Sequence, residues 1–286
     1  MAAKLEAELS AFFRPAAGDF VVLQGLTKSP QYNGVHALVL SASSAPHGDE
    51  ERLPVELQAK GGNERGQRLL VRPANMRPRA RFERTPLSVR DFPPRLGRFV
   101  YVPSPDGLET NLLILFHGLG DSPDNFVQFG QRMELPQCSL LAITAPHAVS
   151  CDLGHAWFPA FEDDGTLIAE PLPPGDARRT DGLAVSREAC STLLSTLGRC
   201  CNWQRSEIFL LGFDQGGTVA IDLATRVVGP RIGGAVGISC LWLLPEEEPS
   251  SQASLRSGID LPPLLSLHGT EDPVLSLAAV RESHRT

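Results

Sequence analysis

Residues 208–220 read IFLLGFDQGGTVA, and the fold turns on how this stretch is understood. The apolar run Ile208-Phe209-Leu210-Leu211 predicts a buried strand, and Thr218-Val219-Ala220-Ile221 predicts the opening of a helix. Between them, Gly212, Gly216 and Gly217 flank Asp214 closely enough for a sharp strand-to-helix turn that exposes its tip. A serine nucleophile ordinarily occupies such a tip. Asp214 therefore reacts itself, serves another chemistry, or marks a site that has stopped reacting.

Working outward, FVYVPS (99–104), LLILFHG (112–118), SLLAITAP (139–146), IGGAVGISCLWL (232–243) and LPPLLSLHG (261–269) are further strand-like runs. Helical spacing over Ala184–Leu197 separates two of them. Strands alternating with helices predict an α/β domain, a mostly parallel sheet with flanking helices, over residues 98–286. Reactive groups in such sheets sit on loops at the carboxyl ends of strands. Three loops qualify. In HGLGDS (117–122), glycines allow a close approach that points the Leu119 amide into a cavity as half of an oxyanion hole. At the 214 turn, the Gln215 amide at the helix start supplies the other half. In LSLHGTEDPV (265–274), Asp272 stands where an acid orients a catalytic histidine, although a loop aspartate also serves turns.

Residues 1–17 form an N-terminal extension. Residues 18–79 hold short β-type runs at 20–23, 35–40, 53–57 and 69–71 without helices, which predicts a small β-barrel. Its GLTKSPQYNG (25–34) and VRPANMRPR (71–79) resemble Src-homology-like barrels, which implies an accessory module that either binds a protein partner or serves packing, and no catalytic residue. Residues 80–97 are rich in proline and arginine and predict an extended, solvated linker.

The chain has 286 residues, 42% hydrophobic and 21% charged, enough to bury a full core. A net charge of −7 offers no cationic field for phosphates and excludes nucleic acid as a partner. No run approaches the ~20 apolar residues of a membrane span. MAAKLEAELSAFF carries charges where a signal peptide needs its apolar centre, so the expected location is cytoplasmic. Cys138, Cys151, Cys190, Cys200, Cys201 and Cys240 lack the density or spacing of a disulfide or zinc framework, and most are expected to be reduced, buried fillers. No metal or cofactor is expected.

Taken together, LLILFHGLGDSPDNF (112–126), APHAV and GHAWF (within 145–158), GFDQGGTVAIDLA (212–224), GISCLWLLP (237–245) and LLSLHGTEDPV (264–274) resemble the phospholipase/carboxylesterase family of α/β-hydrolases, which includes acyl-protein thioesterases. The resemblance implies carboxylic esters or fatty-acyl thioesters as substrates, lipidated proteins included, with oxyanion amides at Leu119 and Gln215 and the triad acid at Asp272.

Two departures stand against it. Asp214 replaces the serine, and a carboxylate attacking an acyl carbon forms a mixed anhydride rather than an acyl ester. After the acid loop the fold needs a helix, a strand and a histidine loop, about 20 residues, whereas 14 residues follow Asp272. The domain is therefore expected to be incomplete at its C-terminus. His284 is the sole histidine in that tail, expected on or at the end of the first helix, away from the turn. His117 and His268 are expected to be structural.

Three readings follow: a hydrolase by descent with reduced or lost activity, an Asp-nucleophile hydrolase of epoxide or haloalkane type, or a non-catalytic scaffold with an apolar acyl pocket. In the last, helix-start amides hold the Asp214 carboxylate, so that it plugs its own oxyanion hole.

Overall fold

A computed structural model describes residues 13–40, 52–57, 66–78, 84–107, 109–149, 151, 153–162, 164–168, 177–226, 231–242 and 261–283. The chain divides into two compact units, 1–87 with 196–205 and 228–230, and 88–195 with 206–227 and 231–286.

The first unit contains a five-stranded antiparallel sheet of β1 (Phe20–Leu23), β2 (His36–Val39), β3 (Leu53–Leu57), β4 (Arg68–Val71) and β5 (Met76–Pro78), in the order β4-β3-β2-β1-β5. Burial alternates along β2, whereas β1 buries Val21, Val22 and Leu23 in succession. Val21, Leu23, Ala37, Val39, Val55 and Leu57 form the core together with Tyr32 and Met76.

The second unit is built on a six-stranded sheet. Its strands are β6 (Phe99–Val102), β7 (Asn111–Phe116), β8 (Cys138–Ile143), β11 (Ile208–Phe213), β12 (Gly234–Ile238) and β13 (Leu264–Leu267), in the order β13-β12-β11-β7-β8-β6. A short pair, β9 (His147–Ala148) and β10 (His155–Ala156), stands apart. The described helices are α1 (Pro123–Gln131), α2 (Ala177–Cys201), α3 (Gln215–Arg226) and α4 (Leu277–Ser283). Neighbours in the large sheet are parallel except β6, which runs antiparallel to β8 with Phe99 opposite Ile143. Residues 103–110 explain the exception, because a parallel crossover needs a dozen or more residues.

β7 and β8 are buried along nearly their whole length, as a parallel strand covered on both faces must be. α1 packs Phe126 and Val127 onto Leu113, Leu115, Leu140 and Leu211. Further along, α3 sets Val219, Ala220 and Leu223 inward beneath the 214 turn. Its Asp222, 2% exposed, sits between Arg187 of α2 at 2.6 Å and Arg226 at 2.7 Å.

The expected linker is only partly a solvated connector. Arg90 and Arg95 are exposed, but Phe92 and Leu96 are buried, Pro94–Leu96 turns as a 3-10 helix, and the Phe92 ring lies 4.7 Å from that of Phe99. Burying two large apolar side chains outweighs the extended preference of the surrounding prolines. Among the described residues, no helix is long and apolar enough to cross a membrane. All six cysteines are free: Cys138, Cys190, Cys201 and Cys240 are buried, Cys200 is half-buried and Cys151 is exposed.

Candidate active site

The site lies at the carboxyl ends of β7, β11, β12 and β13. β11 ends at Phe213, and Asp214 adopts φ 54°, a left-handed conformation that disfavours most side chains and that aspartate tolerates better than most. The Asp214 N–H donates to the Ile238 carbonyl at 2.9 Å, and the Asp214 carbonyl accepts from Thr218 N–H at 3.1 Å, closing the first turn of α3. Space dictates the glycines: a Cβ on Gly212 would collide with the Gly216 carbonyl, and one on Gly216 with the carbonyls of Phe116 and His117.

The first loop meets this turn directly. The Leu119 N–H donates to Asp214 Oδ2 at 3.0 Å, placing a backbone donor against the carboxylate at the tip. Gly120 adopts φ 73° where a Cβ would press on the Leu153 carbonyl, and its N–H donates to the His155 carbonyl at 2.9 Å. Gln215 opens α3, so its backbone N–H belongs to the helix N-terminus, where no intrahelical acceptor exists. Its buried side chain accepts from Trp157 N–H at 2.9 Å and donates to the Phe158 carbonyl at 3.2 Å, fixing the segment after β10 as a wall.

His117 is fully buried, with the Ala145 N–H donating to Nε2 at 3.0 Å and Nδ1 donating to the Gly118 carbonyl at 2.7 Å. Both nitrogens are engaged in a neutral ring. Burial lowers its pKa below the ordinary 6.5, against the hydrogen bond to Gly118 that raises it. Trp157 Nε1 donates to the His117 carbonyl at 2.8 Å, tying the loop to the wall. His268 Nε2 donates to the Leu275 carbonyl at 2.8 Å.

Asp272 is held by local turn chemistry. Its Oδ1 accepts the N–H groups of Leu275 and Val274, each at 2.9 Å. These two bonds, with a smaller contribution from the Ser239 hydroxyl, hold its carboxyl below the ordinary carboxylate range. His284 lies outside the described residues.

Asp214, Gln215, Leu119 and Asp272 all line one cavity of about 370 Å³. Phe158, Ile168, Phe213 and Leu275 contribute its apolar walls, while Thr218, Ser239 and Cys240 add small polar groups. Ser239 and Cys240 carried no site signal in the sequence reading, which took GISC as strand. The strand-end rule would have found them, since both follow directly on β12. Ser239 also has a left-handed backbone, φ 46°, and burial pushes the Cys240 thiol up to about 12, helped by the neighbouring Asp214 carboxylate. Among the described residues, no group of three or more His, Cys, Asp or Glu is placed to hold a metal ion.

Comparison with known proteins bears on the family and the fold. The phospholipase/carboxylesterase family model matches residues 99–286. An uncharacterized hydrolase of Mycosarcoma maydis is 35% identical over 133 residues, covering 45% of this chain and 47% of that protein. A second, from Schizosaccharomyces pombe, is 27% identical over 120 residues, 39% of this chain and 44% of its own length. The matched stretch thus spans just under half of each curated relative. Among solved structures, the esterase PE8 superposes with a TM-score of 0.51 at 22% identity, covering 64% of this chain and 79% of its own, a likeness of fold. The chain belongs to the phospholipase/carboxylesterase family, and its second unit has the α/β-hydrolase fold, with a mostly parallel sheet and flanking helices.

Proposed function

We propose that this is an esterase- and thioesterase-type hydrolase by descent in which Asp214 has converted the nucleophile position into a plug, leaving an apolar-chain pocket without ordinary ester turnover. The observation that carries this reading is the Leu119 N–H donating to Asp214 Oδ2 at 3.0 Å. In the ancestral chemistry that amide serves the oxyanion of a tetrahedral intermediate, and losing one such donor costs about 10² to 10³ in kcat. A carboxylate resting there occupies the donor before substrate arrives and repels the negative charge the reaction must develop.

Two further features support it. Attack by Asp214 on an acyl carbon leads to a mixed anhydride, and the described residues lining the cavity include no histidine to activate a water against any covalent intermediate. The apolar walls remain suited to an alkyl or acyl chain, of carboxylic esters or of fatty-acyl thioesters on proteins.

The test is hydrolysis of p-nitrophenyl butyrate and octanoate by the purified chain and by Asp214→Ser. Neither is expected to turn over detectably above the uncatalysed rate, because the substitution frees the amide and supplies no base. A kcat near the ordinary enzymatic level of about 10 s⁻¹ in the unmodified chain would overturn the reading. Turnover confined to Asp214→Ser would show a working base and restrict the loss to residue 214.

A further inference from the structure

Replacement of the nucleophile by Asp214 adds a second carboxylate to a cavity that Asp272 also lines. A site that stabilises an oxyanion presents donors; here the Leu119 amide is engaged by Asp214, and the cavity is lined by two carboxylates, Asp214 and Asp272, with no lysine, arginine or histidine among its described lining residues. The α3 N-terminus offsets only part of this, since a helix start carries roughly half a positive charge. The Leu275, Val274 and Ser239 donors to Asp272 are neutral dipoles, which favour its anionic form without cancelling the charge, and His268 acts on it more weakly than any of them.

The remaining walls are apolar and amount to a chain-sized space of about 370 Å³. Phe213, Leu167 and Val274 are 44%, 58% and 74% exposed while also lining the cavity, so apolar surface continues to its rim. Such a space selects a ligand that is apolar along its length and positive at its head. A fatty carboxylate, the product of an acyl hydrolase, meets two like charges there instead.

We infer that the cavity binds an amphiphile with an ammonium head and an alkyl chain, its head between Asp214 and Asp272 and its chain against Phe158, Ile168 and Leu275. This rests on the preceding reading of an apolar-chain pocket and adds to it the sign of the head group.

Calorimetric titration of the full chain with decylamine, decanol and decanoate at neutral pH, each below its micelle-forming concentration, tests the head group with the tail held constant. Decylammonium is expected to bind at least about tenfold more tightly than decanoate, a difference of 1.4 kcal/mol. The double variant Asp214→Asn/Asp272→Asn, isosteric and tolerant of the left-handed backbone at 214, is expected to bring the two within about twofold of each other. Glu134→Gln/Glu188→Gln, which changes the net charge equally at two exposed positions, is expected to leave the preference intact. Decanoate binding as well as decylammonium to the unmodified chain would overturn the inference, as would an ammonium preference that survives the double asparagine variant. If none of the three ligands binds, the apolar-chain pocket falls as well; ester turnover would overturn the plugged-site reading and leave the head-group preference to stand on these titrations.

Discussion

Asp214 and Asp272 are the same residue type at the ends of two strands of one sheet, and they are held by opposite means. Asp214 sits on a backbone that the surrounding fold compels: its φ is 54°, its N–H is bound by β12, and its carboxylate meets an amide from a loop 95 residues earlier. Asp272 makes its own surroundings, accepting two N–H groups from within three residues of itself. Strain at the first position is sustained by tertiary packing, whereas the second is an ordinary local turn. The difference teaches that a site residue embedded in backbone geometry survives a change of chemistry, because the turn persists whether serine or aspartate occupies its tip.

That contrast can be broken most severely at Gly216. A methyl group there meets the carbonyls of Phe116 and His117, so Gly216→Ala should cost about 3 kcal/mol or prevent folding, the upper range for overpacking; urea denaturation measures it, and a loss under 1 kcal/mol would mean that the turn relaxes freely. The same substitution at the two carboxylates sharpens the comparison. Asp214→Val forces a β-branched side chain into a left-handed backbone and should cost about 2 kcal/mol. Asp272→Val gives up a largely solvent-accessible turn and should cost less than about 1 kcal/mol; equal losses would contradict the distinction between compelled and local geometry.

The effect of pH is smaller and comes from the buried loop. Burial depresses the His117 pKa in the folded state, so the unfolded chain binds the extra proton first. Stability should therefore hold above pH 6.5 and decline as pH falls below it, down to the folded-state value. His147, whose pKa is lowered by burial in the same direction, adds to the decline. Melting temperatures between pH 7.5 and 5.5, about the ordinary histidine range, would show it, and a flat profile would mean that neither ring is kept neutral by its burial. Asp272 acts at more acid pH: its depressed carboxyl contributes loop stability that is present above the ordinary carboxylate range and lost as pH falls through the folded-state value.

Much of the architecture is legible in the sequence. Apolar runs at 112–116, 139–143 and 208–213 are strands because fully buried parallel strands need continuous hydrophobic residues. The position of Asp214 at a tip followed from glycine spacing, a constraint that is local in the chain. Less legible were β6, whose antiparallel direction depends on the length of the segment that follows it, and the linker, where Phe92 and Leu96 turn inward against the preference of their prolines.

The sequence by itself determined the order of strands and helices, the sharp turn at 214 and the residue types at the strand ends, since each depends on neighbours within a few positions. Tertiary structure alone decided which strand ends share a cavity, that the Leu119 amide is spent on the Asp214 carboxylate, and that Ser239 stands beside Asp272. The physical reason is range: backbone preference and hydrophobic period are written over a few residues, whereas a hydrogen bond between positions 119 and 214 exists only once the sheet has set β7 beside β11.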